Sequence, residues 1–79
     1  MDATVKEKVF EIIRGAVRID PTTLDPERDI REQVSFDSMQ FVILTAAVED
    51  KLGIELPLEV MEARTIGGFL KIVELSMRA

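Results

Sequence analysis

Apolar residues along this chain recur at intervals of three and four and nowhere in strict alternation, which confines the fold to packed helices. Over Thr4 to about Arg18 the stripe is Val5, Val9, Ile12, Ile13, Ala16 and Val17. Thr4 followed by Glu7 has the form of a capping box, and Asp2 adds negative charge near the amino end. Asp37 followed by Gln40 is a second such pair, with Asp in place of Ser or Thr, and Gly53 is a stop signal. The pattern between them predicts a helix from Asp37 or Ser38 to about Leu52. Ile54-Glu55-Leu56-Pro57 reads as an extended link, and Pro57 can open a short helix over Leu58 to Ala63. Thr65 then caps a last helix carrying Ile66, Phe69, Leu70, Ile72, Val73 and Met77. Gly67 and Gly68 stand in its first turn at a propensity cost of roughly 1 kcal/mol each, which close packing against another backbone would explain.

From Ile19 to Phe36 no period holds. Pro21 and Pro26 interrupt the stretch, and Thr22, Thr23, Asp25 and Asp29 are turn formers. So long a connection in a small domain tends to be functional or to mark a misread element. Leu24, Ile30 and Val34 are expected to pin it across the helices, with room for one turn of helix over Asp29 to Gln33. The expected architecture is all-α. It is a single domain over residues 1–79, a small four-helix bundle of three main helices and one short one, with a long loop between the first two.

Chemistry is bounded by what is missing. The 79 residues include no cysteine and no histidine, which rules out disulfides and argues strongly against a zinc site or a histidine-activated nucleophile. The net charge of −5 argues against nucleic acid and anionic membrane as partners and favours a partner with a basic patch, although from charge alone the better reading is that mild acidity only aids solubility. No segment is long or apolar enough to span a bilayer and no export-type amino terminus is seen, so a cytoplasmic location is expected; a monomer is expected as well.

Ser38 opens the second long helix beside Asp37, an exposed hydroxyl on a rigid element and a good point of attachment. On a wheel of about 100° per residue, Phe41, Leu44, Val48 and Leu52 form one apolar stripe of that helix. Met39, Val42, Ile43 and Ala46 form another on roughly the opposite side, continued by Glu49 and Asp50. An ordinary surface helix has one such stripe. The second is therefore expected to face solvent or a partner; the alternative is that the long loop covers it.

Taken together, Asp37-Ser38-Met39, the run Val48-Glu49-Asp50-Lys51-Leu52-Gly53-Ile54, Leu56-Pro57 and Thr65-Ile66 resemble the acyl carrier protein family, including its peptidyl and aminoacyl carriers. The likeness extends over nearly the whole chain. It implies a protein that is not an enzyme. Ser38 would receive 4′-phosphopantetheine from coenzyme A through a Mg²⁺-dependent phosphopantetheinyl transferase, with Asp37 helping that transferase dock. The arm's thiol would hold acyl groups as thioesters for ligases, synthases or acyltransferases in fatty acid, polyketide or related specialised biosynthesis. It further implies a partner face of Met39, Val42, Ile43, Ala46, Glu49, Asp50 and Met61, with Glu59 and Glu62 extending an acidic rim.

The departures from the family pattern are also informative. Met39 replaces the usual Leu, and Ser35 stands where Gly is common, which puts a positive φ there in doubt. Ile43 and Lys51 occupy positions that are often acidic in fatty-acid carriers, and Phe36 resembles the peptidyl and aminoacyl branch. The expected face is more apolar than that of a housekeeping carrier, with a dedicated set of partners. The alternatives are an aminoacyl or peptidyl carrier and an unmodified helical interaction module. A hydrolase using Ser38 as nucleophile lacks a base.

Overall fold

A computed structural model describes the backbone of residues 3–78 and the side chains of residues 4–78. In chain order the elements are α1 (Ala3–Val17), a 3-10 turn (Pro21–Thr23), α2 (Ile30–Gln33), α3 (Ser38–Leu52), a second 3-10 turn (Leu58–Glu62) and α4 (Ile66–Arg78). Among the described residues there is no strand, only an isolated antiparallel bridge between Asp29 and Thr65. The three long helices enclose one core, with Val9 and Ile13 from α1, Leu44 and Val48 from α3, and Phe69 and Val73 from α4 at its centre. The all-α bundle expected from the spacing is the one observed.

The long connection is ordered by specific bonds. Asp20 caps the first 3-10 turn, its Oδ1 accepting from the Thr22 N–H at 3.0 Å and the Thr22 hydroxyl at 2.7 Å. These bonds, with Arg14 3.4 Å away, hold the Asp20 carboxyl below the usual carboxylate range. The Gln33 side chain fastens the middle. Its Oε1 accepts from the Asp25 N–H at 2.6 Å, while its Nε2 donates to the carbonyls of Asp25, Arg28 and Asp29. Leu24 and Ile30 are buried and Val34 is half-buried, so the connection is pinned across the helices as expected.

Several boundaries differ from the expectation. α1 already includes Ala3, so Thr4 is a residue of its first turn and not its cap; Asp2 lies outside the described residues. α1 stops at Val17 because Arg18 takes a left-handed φ of 57°, a conformation that nothing in the residue type signals. Ser35 needs no such conformation, since Arg18 alone among the described non-glycine residues has positive φ. The short helix expected after Pro57 is a 3-10 turn ending at Glu62, with Pro57 at its cap position. Met77, placed on the apolar face of the last helix, is 39% exposed.

The start of α4 agrees with the sequence. Thr65 caps it, Oγ1 accepting from the Gly68 N–H at 3.0 Å. The Gly67 N–H, an otherwise unpaired donor of the first turn, reaches the Pro26 carbonyl at 2.9 Å. A Cβ on Gly67 would lie 2.9 Å from that same oxygen, so the close backbone approach expected of this glycine is present.

Candidate functional site

The site is the amino end and outward face of α3. Asp37 and Gln40 form the expected capping box: the Gln40 N–H donates to Asp37 Oδ1 at 2.8 Å and the Asp37 N–H to Gln40 Oε1 at 3.0 Å. The cap is complete without the Ser38 hydroxyl, which is exposed at the first helical position. The peptide leading into it is anchored from behind. Phe36 is buried against Phe41, and Phe41 against Phe69, with ring centroids 5.8 Å apart in each pair and tilted or edge-on geometry. Ser38 therefore stands on a fixed base.

Leading away from Ser38, α3 has two apolar faces, as the wheel predicts. Phe41, Leu44, Thr45 and Val48 are buried. Met39, Val42 and Ile43 are 66%, 49% and 45% exposed, and Ala46 and Asp50 are exposed beside them. The loop does not cover the second stripe. No charged residue occurs from Ser38 to Val48, so this face is uncharged over about three turns.

Glu49 has a structural task that sequence reasoning missed. Its Oε2 accepts the Leu56 N–H at 2.8 Å, bracing the link after α3. Its carbonyl accepts from the N–H groups of Gly53 and Ile54, and Gly53 adopts the left-handed φ of 64° that such a helix end requires. The acid at the patch edge with no such bond is Asp50.

Leu58, 90% exposed, was also missed. The signal was present, since residues i and i+3 eclipse in a 3-10 turn, placing Leu58 over Met61 while Val60 turns inward. Between this turn and α3 lies an open cleft of about 180 Å³, walled by Thr45, Glu49, Leu56, Val60 and Met61. The buried Thr45 hydroxyl is satisfied by the Val42 carbonyl at 2.9 Å, so the cleft contains no orphaned polar group. Glu59 and Glu62 are exposed on the turn.

A family model described as a phosphopantetheine attachment site matches residues 7–73. An acyl carrier protein of Thermosynechococcus vestitus is 34% identical over 58 residues, covering 73% of this chain and 72% of that protein. A meromycolate extension acyl carrier protein of Mycolicibacterium smegmatis is 30% identical over 78 residues, with coverage of 94% and 79%. The acyl carrier protein AcpXL of Rhizobium etli is 34% identical over 53 residues, of which this chain spans 58% of the length. No solved structure gives a significant match.

Proposed function

Because the chain belongs to the acyl carrier protein family and is a carrier bearing covalent 4′-phosphopantetheine, not an enzyme, we propose that Ser38 is the residue to which that group is attached. The observation that carries this reading is an exposed hydroxyl at the first position of α3, left unused by a complete cap and lying within the matched residues. The first turn of a helix offers unpaired backbone N–H groups and the positive end of its dipole, a setting that favours a phosphodiester. Asp37 tempers this with its own charge, and in our reading it helps position the transferase while its Oδ1 caps the helix. Once attached, the group supplies the thiol that this cysteine-free chain lacks.

The partners in this reading are a phosphopantetheinyl transferase and the ligases, synthases or acyltransferases that load and use the thioester. They dock on Met39, Val42, Ile43, Ala46 and Asp50, extended by Leu58 and Met61. The exposed apolar stripe supports this docking face; in our reading the pathway is a specialised biosynthesis in the cytoplasm with an acyl cargo. An aminoacyl cargo remains the second reading, favoured by the bulk of Phe36.

The test is intact mass after incubating the apo chain with coenzyme A, Mg²⁺ and a broad-specificity transferase. A gain of one phosphopantetheine that disappears in Ser38→Ala is expected. No gain in the unaltered chain would remove Ser38 from this role.

A further inference from the structure

Resting on the reading of Ser38 as the attachment residue, we propose that Arg31 and Arg64 form an anion-holding rim beside it. The rim would receive either the singly charged phosphodiester of the arm or a carboxylate carried by the cargo.

Placement is the first support. Phe36 and Phe41 flank Ser38 in sequence, two residues before it and three after, and both are buried behind it. Phe41 and Phe36 line a shallow crevice together with Asp29, Arg31 and Arg64. The crevice is too narrow for a water-sized sphere, so an anion would lie across its rim and not inside.

Mounting is the second. The Ile30 N–H donates to the Arg64 carbonyl at 2.8 Å, and the Asp29–Thr65 bridge adjoins that bond. The two arginines therefore extend from backbone segments fastened to each other. A guanidinium presents planar donors suited to two oxygens of one phosphate or carboxylate.

Charge is the third. The chain has fifteen acidic residues against ten basic ones, and Arg14, Arg28 and Arg78 each have a carboxylate within 4.0 Å. Among the described residues Arg31 and Arg64 form no such pair. The acid nearest them in the crevice, Asp29, already uses Oδ1 to accept the Arg31 backbone N–H at 2.9 Å, and Asp37 uses its Oδ1 on Gln40. Two arginines without an ion pair, lining a crevice with the residues that flank Ser38, are suited to an anion that arrives there, with the Asp29 carboxylate in the same crevice opposing it.

The experiment follows the arginine Nε–Hε resonances by NMR in the apo chain, in the holo chain verified by mass, and after loading with succinyl or butyryl from the coenzyme A thioesters. Both resonances are expected to move, and the movement should vanish near 1 M salt, where the screening length falls to about 3 Å. Movement on holo conversion assigns the phosphodiester; movement on succinyl but not butyryl loading assigns a cargo carboxylate. Arg64→Lys should preserve the movement at Arg31, and Arg64→Gln should diminish it. A holo chain whose two resonances stay fixed in every loaded form overturns the rim and leaves the carrier reading standing. If no arm is gained, the assignment of Ser38 fails and inorganic phosphate titrated into the apo chain tests the rim alone. Movement of both resonances then supports it, and none overturns it.

Discussion

α1 and α3 are each fifteen residues long and pack against one another, yet they dispose their side chains on different plans. α1 buries Val9, Ile13 and Val17 and turns Lys6, Glu7, Lys8, Glu11 and Arg14 toward water. α3 buries Phe41, Leu44 and Val48 but turns Met39, Val42, Ile43 and Ala46 outward. In α1 the apolar residues match what the core takes in. In α3 they exceed it, and a chain that could have been soluble with polar residues there keeps an uncharged face beside Ser38. The lesson is that surplus hydrophobicity on a helix, measured against its neighbour in the same bundle, locates function better than net composition does.

The sharpest way to break the comparison uses two adjacent residues. Leu44 is 2% exposed and Ile43 is 45% exposed. Leu44→Ala should destabilise the fold by about 2–5 kcal/mol, through lost burial and the cavity left behind. Ile43→Ala should change stability by less than about 0.5 kcal/mol while weakening partner binding by about 1 kcal/mol or more. Urea unfolding and titration with a cognate enzyme measure the two quantities. Equal stability losses would mean that α3 has no free face. Binding that collapses in modest salt while Ile43→Ala leaves it unchanged would mean that charge, not the apolar face, directs docking.

Next in size is Gln33→Ala. The comparison requires the long connection to be held by its own bonds, because an anchored loop leaves the outward stripe of α3 uncovered. Gln33 alone satisfies the Asp25 N–H and bonds three carbonyls. Its removal should cost about 1–3 kcal/mol and speed amide exchange at Asp25, with exchange in the middle of α3 unchanged.

Two glycines sharpen the contrast further. A Cβ at Gly15 on α1 meets nothing within 4 Å, so Gly15→Ala should raise stability by about 0.5–1 kcal/mol without touching partner binding. Gly67→Ala places a Cβ against the Pro26 carbonyl and disturbs the bond from the Gly67 N–H. A net loss of about 1 kcal/mol is expected there despite alanine's better helix propensity. Thermal unfolding of both variants decides the signs.

Much of this was legible beforehand because it depends on short-range rules. The capping box of Asp37 and Gln40, the stop at Gly53 and the cap at Thr65 each involve residues or conformations that a local pattern encodes, and Gly67 was flagged by its local propensity cost although its partner Pro26 is far away in sequence. The two-faced α3 was legible because periodicity counts apolar positions whatever covers them. What escaped depends on side-chain bonds that no local motif encodes or on unusual backbone. Gln33 gives no sign that it will bond back to Asp25, Glu49 none that its carboxylate will brace Leu56, and Arg18 none that it will end a helix in the left-handed region. Leu58 escaped because no periodicity was drawn over this short segment, in which it stands on the same side as Met61.

The smallest effect concerns the charged side of α1. Arg14 joins Asp20 at 3.4 Å, so an ion pair from α1 into the connection ends on a carboxyl that also caps the turn at Pro21–Thr23. The Asp20 pKa is lowered chiefly by the Thr22 hydroxyl and then by the Thr22 N–H, with Arg14 contributing less. A folded-state pKa below the unfolded one means that this group stabilises the fold above about pH 3.9, its ordinary value. That contribution is lost as pH falls through the lower folded-state value. Asp20→Asn should therefore flatten the acid limb of the stability profile slightly while leaving its neutral-pH salt dependence almost unchanged, because Arg14 is the lesser cause. If the variant instead abolished a salt-dependent stability at pH 7, the Arg14 pair would outweigh the cap. The outward charges of α1 would then contribute to the fold itself, and the contrast with the outward face of α3 would narrow to the kind of partner each side chain finds.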